Sequence, residues 1–120
     1  MVSRANLSTG TMKSIAGKRI RGSRTGRPIM VLLDLLGRRM TLRILWELSN
    51  AEEPLIFREL QEKAETNPAV LNARLKELRA ANLVSHTGDG YVLTTEGRSL
   101  CSHIRPLNAW AGRWAAATEL

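Results

Sequence analysis

The stretch from Asn67 to Thr94 constrains this chain most, because an amphipathic helix there runs straight into a tight hairpin. In "NPAVLNARLKELRAANLV", Leu71, Leu75 and Leu78 recur at i, i+4 and i+7, the spacing of one buried helical face. Asn67 is a good N-cap, Pro68 fits the first helical position, and Asn82 can take the left-handed conformation that ends a helix. The opposite face, Ala69, Asn72, Ala73, Lys76 and Ala80, is narrow and lightly charged. Next, "LVSHTGDGYVLT" alternates apolar and polar residues about Gly88-Asp89-Gly90, predicting a β-hairpin whose glycines supply positive φ in the turn.

The rest of the chain builds around this pair. Pro28 opens a first helix in which Ile29, Leu32, Leu33 and Leu36 are spaced for one face, and Gly37 stops it. A second helix is expected from about Arg39 to Leu48, with Met40, Ile44, Leu45 and Leu48 inward, ended by "SNAEEP". Leu55 and Ile56 read as a short strand, followed by a short helix with Phe57, Leu60 and Ala64 on one face. Thr94 or Thr95 caps a last helix carrying Leu100, Ile104, Leu107, Ala111 and Trp114 on one stripe; Pro106 is expected to kink or break it. The fold class is thus mainly α with a small β-hairpin. Three helices followed directly by a hairpin are a winged helix-turn-helix, in which the helix before the hairpin faces the DNA major groove.

Charge divides the chain. Of 120 residues, 1–27 hold seven basic side chains and no acidic one, while 28–120 hold eleven of each, so the net +7 belongs to the N-terminal segment. Two units follow: a basic arm, 1–27, without fixed structure in isolation, and a winged-helix domain, 28–120, in which residues 97–118 are expected to be a dimerisation helix. The arm could contact a polyanion by counterion release, with nucleic acid ahead of a membrane surface, or be a solvated leader. No apolar run approaches the roughly 20 residues that span a bilayer, and the N-terminus lacks a secretory signal's apolar centre. With a single cysteine, Cys101, no internal disulfide forms, and a cytoplasmic location is expected.

Other chemistry finds little support. Cys101 reads as a small buried hydrophobe, and His103, two residues on, points to a nearly opposite helical face. With His86 in the hairpin, this scatter argues against a metal site. "GDG" lacks a following G-K-[ST], Glu52-Glu53 reads as a solvent-exposed loop pair, and no nucleophile sits in an elbow, so neither enzyme nor cofactor is expected. Trp110 and Trp114 are costly to expose on a small monomer and suggest a C2 interface, the alternative being that they fold back on their own domain.

"PIMVLLDLLGRRMTLRILWEL", "FRELQEKAETNPAVLNARLKELRAANLV" and "YVLTTEGRSL" resemble the HxlR-type winged-helix transcriptional regulators, relatives of the MarR group, from about Arg27 to Trp114. The resemblance implies a homodimer through the first and last helices, with Ile29, Leu33, Leu100, Ile104, Leu107, Trp110 and Trp114 at the interface. It also implies double-stranded DNA as partner, met by Asn67, Ala69, Asn72, Ala73, Arg74 and Lys76 and by the hairpin at His86 and Thr87. By family analogy, a small apolar effector would lie between the second helix and the dimer helices. There are departures. Arg27 stands where many members carry a sensing cysteine, Met40 replaces a usual tryptophan, and no Arg or Lys occurs from Leu83 to Glu96. Two further readings stay open: a winged-helix module binding a protein partner, and a nonspecific DNA binder acting through the arm.

Overall fold

The computed structural model describes residues 26–119, so the basic arm lies almost wholly outside the described residues. The chain forms α1 (Pro28–Leu36), α2 (Thr41–Asn50), α3 (Phe57–Ala64), α4 (Pro68–Ala80), the hairpin strands β1 (Val84–Thr87) and β2 (Gly90–Leu93), and α5 (Thr95–Thr118). This is the winged helix-turn-helix order expected from the local signals.

One core joins all of these elements. Ile44 and Leu45 of α2, Leu60 of α3 and the seam Leu71, Leu75 and Leu78 of α4 are fully buried or nearly so. Val84, Tyr91 and Leu93 close it from the hairpin and Cys101 from α5. The α4 seam alone removes three leucines from water, each about 1.5–3 kcal/mol of hydrophobic stabilisation before entropy is counted.

Capping explains the sharp ends of α4. The Asn67 Oδ1 accepts the Val70 N–H at 2.8 Å. At the other end the Asn82 N–H bonds to Arg79 O and the Leu83 N–H to Leu78 O, a Schellman closure with Asn82 at φ 62°. The Thr94 hydroxyl then accepts the Gly97 N–H at 2.9 Å, capping α5, and donates to Asn82 O at 2.7 Å. One side chain thereby ties the end of α4 to the start of α5, contributing about 1 kcal/mol as a cap.

Several expectations need correction. α2 runs from Thr41 to Asn50, and Met40 lies outside it as a left-handed N-cap residue at φ 71°. The Thr41 N–H bonding back to Arg38 O forms a tight turn that reverses the chain, delaying the helix start. On α1 the buried residues are Val31 and Leu35, whereas Ile29 and Leu33 are exposed. The helix is apolar on all sides but one, so spacing alone could not say which side faces its own domain.

Leu55 makes a single bridge to Tyr91, with both backbone hydrogen bonds at 2.8–3.1 Å, and α3 begins at Phe57 before a strand can extend. In the hairpin, positive φ belongs to Gly90 (+137°) and not to Gly88. A Cβ at Gly90 would also lie 2.7 Å from the Leu55 carbonyl, so that approach itself demands glycine. Finally, α5 continues unbroken through Pro106. The preceding residue is held: the Arg105 guanidinium donates to Ser49 O, Ser49 Oγ and Asn50 Oδ1 at 3.2–3.3 Å and lies 5.5 Å from the Trp46 ring centre. With Arg105 fixed, the lost bond at Pro106 is a local defect between two self-supporting helical stretches.

Candidate nucleic-acid interface

The α4 seam buries one side of that helix, which leaves Ala69, Asn72, Lys76 and Ala80 exposed and Ala73 half-buried on the outward strip. Small side chains on this strip let a helix approach a groove floor, while Asn72 carries the bidentate amide that pairs with adenine. Lys76, one turn further along, makes no ion pair among the described residues. Arg79, also exposed and likewise unpaired, was missed from the sequence although it stands at i+7 from Asn72. The signal was there.

Asn67 and Arg74 are differently placed. The Asn67 side-chain oxygen is engaged in its own cap, and its NH₂ takes no part in that bond. Arg74 turns toward the flank of α4, where its Nη1 donates to Glu77 Oε1 at 2.8 Å and its Nε is buried without a hydrogen-bond partner. Glu77 also takes Arg38 Nη1 at 3.0 Å, and Arg38 in turn holds Asp34 at 3.2 Å. An alternating chain of charges thus joins α1 to the reading helix.

The hairpin offers less. The His86 ring stacks on Tyr91 with centroids 4.0 Å apart and planes 5° from parallel. The Thr87 hydroxyl accepts the Asp89 N–H at 3.1 Å and donates to Gly90 O at 3.0 Å, so it is used by the turn. The hairpin carries no Arg or Lys, so of these two elements only α4 presents basic side chains.

Away from α4, Ile29, Leu33, Leu107, Trp110 and Trp114 are exposed, as are Met30 and Leu42, which the sequence reading did not include. Trp110 and Trp114 retain 51% and 46% of their accessible surface and stack on each other 5.9 Å apart, so neither folds back into its own domain. Leu100 and Ile104 are half-buried, Leu100 against the core. Between α1, α2 and α5 lies a groove of about 640 Å³, with Leu36, Leu42, Trp46 and Leu107 on its walls and Arg43 and Asn108 at its edge.

Cys101 is buried, and burial pushes its thiol above the ordinary value against a weaker opposing pull from Arg105. It is a poor nucleophile. Among the described residues no His/Cys/Asp/Glu group could hold a metal ion, and no helix is long and apolar enough to cross a membrane.

Comparison with known proteins agrees with this arrangement. No curated protein matches the chain. The crystal structure of quinone-bound YodB from B. subtilis is similar, with a TM-score of 0.66 and 28% identity over 72% of this chain and 97% of that one. A family model described as HxlR-like helix-turn-helix matches residues 35–119. With its reading helix, short wing and long last helix in that order, the chain belongs to the HxlR-like helix-turn-helix family of DNA-binding transcriptional regulators.

Proposed function

We propose that the chain works in the cytoplasm as a homodimer that recognises particular duplex sequences by inserting α4 into the major groove. The observation that carries this reading is the outward strip of α4: small residues around Asn72, bordered by the unpaired cations Lys76 and Arg79. Asn72 reads a base edge, Lys76 and Arg79 meet phosphates, and the Asn67 amide joins them at the helix start. A C2 dimer doubles the reading helix and calls for a pseudo-palindromic site with half-sites about one turn, 10–10.5 bp, apart. The basic arm, 1–27, adds phosphate contacts in place of the wing, which has no Arg or Lys and carries Asp89 in its turn.

Charge reversal tests this directly. With fluorescent duplexes from the gene's own upstream region, Lys76→Glu is expected to weaken binding at least tenfold, about 1.4 kcal/mol, without altering the melting temperature. An unchanged affinity would instead favour a winged-helix module that binds a protein partner, the reading for which the wing's lack of Arg and Lys argues. Equal binding to scrambled DNA that disappears on deleting residues 1–27 would leave only a nonspecific, arm-driven binder.

The regulatory input in this reading is a flat apolar molecule seated in the groove between α1, α2 and α5. YodB has been crystallised with a quinone. Here Arg27 replaces the family's sensing cysteine and Cys101 is buried in the core, so capture is noncovalent. Titrating a methylated benzoquinone is expected to quench Trp46 emission reversibly, with Trp46→Phe removing the response. A mass increase of the protein that survives denaturation would sink noncovalent capture.

A further inference from the structure

We infer that Glu77 is a specificity-determining residue that withholds Arg74 from the DNA backbone; this rests on α4 being the reading helix. Arg74 and Glu77 lie one turn apart on α4, and the carboxylate accepts Arg74 Nη1 at 2.8 Å and Arg38 Nη1 at 3.0 Å. Both oxygens are therefore occupied by guanidinium groups, one from each flank. Asp34, the most buried member, fixes Arg38 from the α1 side at 3.2 Å. The four charges cancel, so the flank of α4 is electrically quiet beside the unpaired Lys76 and Arg79.

Arg74 is held without being well satisfied. Its Nε is buried with no acceptor, a condition that costs free energy and that outward rotation would relieve. What keeps it in place is the Glu77 carboxylate. Remove that charge, and the guanidinium gains by turning toward solvent or toward a phosphate.

Every additional phosphate contact binds all sequences alike and steepens the salt dependence by about 0.9 in log–log slope. An arginine released beside the groove would raise affinity for irrelevant DNA more than for the proper site. Glu77 prevents this, leaving discrimination to Asn72 and its neighbours.

The test needs no knowledge of the operator. The full chain is titrated with a fluorescent random-sequence duplex of about two helical turns across a salt series. Glu77→Gln is expected to bind this duplex several-fold more tightly at low salt, with a slope steeper by about 0.9. Adding Arg74→Gln to that variant should reverse at least half of the steepening. Arg74→Gln alone should leave both affinity and slope at the native values, because Arg74 is already withheld. Glu119→Gln, the same charge change at the end of α5, controls for net charge and should have a much smaller effect.

A slope unchanged in Glu77→Gln, or an equal response in Glu119→Gln, overturns the inference. So does a flattening by about 0.9 in Arg74→Gln alone, since Arg74 would then touch phosphate in the native complex. If Glu77→Gln fails to fold, Glu77→Ser takes its place in the same titration, with the same steepening expected and the same unchanged slope overturning the inference. Failure of the native chain to bind any duplex would remove the DNA reading and this inference together.

Discussion

A chain carrying Trp110→Ala and Trp114→Ala is expected to sediment as a monomer at concentrations where the native chain is a dimer. The two indoles stack on each other in parallel and remain half exposed, in line with Leu107 on α5 and with Ile29 and Leu33 of α1 also bare. Nothing in the chain's own core needs them, since the hydrophobic cluster closes at Leu100 and Cys101, before α5 passes Pro106. Aromatic hot-spot side chains at the centre of an interface account for about 2 kcal/mol or more apiece, so the double change should weaken association by about 1,000-fold. Helical content should be nearly unchanged. The native melting temperature should rise with protein concentration, as for any linked dimer, and that dependence should vanish in the variant. Affinity for a two-half-site duplex should fall to that for a single half-site, because the second α4 is no longer tethered. A native chain that sediments as a monomer would refute the homodimer outright.

The contrast between what the sequence disclosed and what it concealed follows the range of the forces involved. α4 and the hairpin were legible because their signals are local: Asn67 caps, the leucine seam repeats, Asn82 turns left-handed and Thr94 starts α5, all within one contiguous stretch. α1 was legible as a helix but not in orientation, for Ile29 and Leu33 are as apolar as the buried Val31 and Leu35. The candidate site divides in the same way. Asn72 and Lys76 follow from helical spacing, and so would Arg79 if the strip had been followed one turn further. Pairing of Arg74 with an acidic residue was legible too, since Glu77 stands three residues on in the same helix; Arg38 was not, as it stands two helices earlier and meets Glu77 only in the folded state. The groove needed three helices, α1, α2 and α5, to be placed at once. Pro106 shows the opposite failure. Of the kink or break expected there, the break is absent, and Arg105 beside it is tied to Ser49 and Asn50.

The same substitution at two glycines of α5 should move stability in opposite directions. A helix gains about 1 kcal/mol when an exposed glycine becomes alanine, because the unfolded chain has fewer conformations to lose. Gly112 meets that condition: a Cβ there would find nothing within 4 Å. Gly97 does not. A Cβ on it would fall 2.1 Å from Leu83 O and 3.2 Å from a Leu93 methyl. That carbonyl is not free to yield, as it already accepts the Thr94 N–H at 3.0 Å in the turn that joins β2 to α5. To accept the methyl group, α5 must lift from the hairpin, loosening the Thr94 cap on Gly97 and the packing of Leu93 together. Gly97→Ala is therefore expected to lose about 3 kcal/mol or more, at the upper end of overpacking effects, and Gly112→Ala to gain about 0.5–1 kcal/mol. Both are best measured by urea denaturation in the Trp110→Ala/Trp114→Ala background, where no partner subunit can touch Gly112. If Gly97→Ala were as stable as its parent, α5 could not be seated on Leu83 as closely as the structure has it. The link from the reading helix through Asn82 and Thr94 to the long last helix would then be slack.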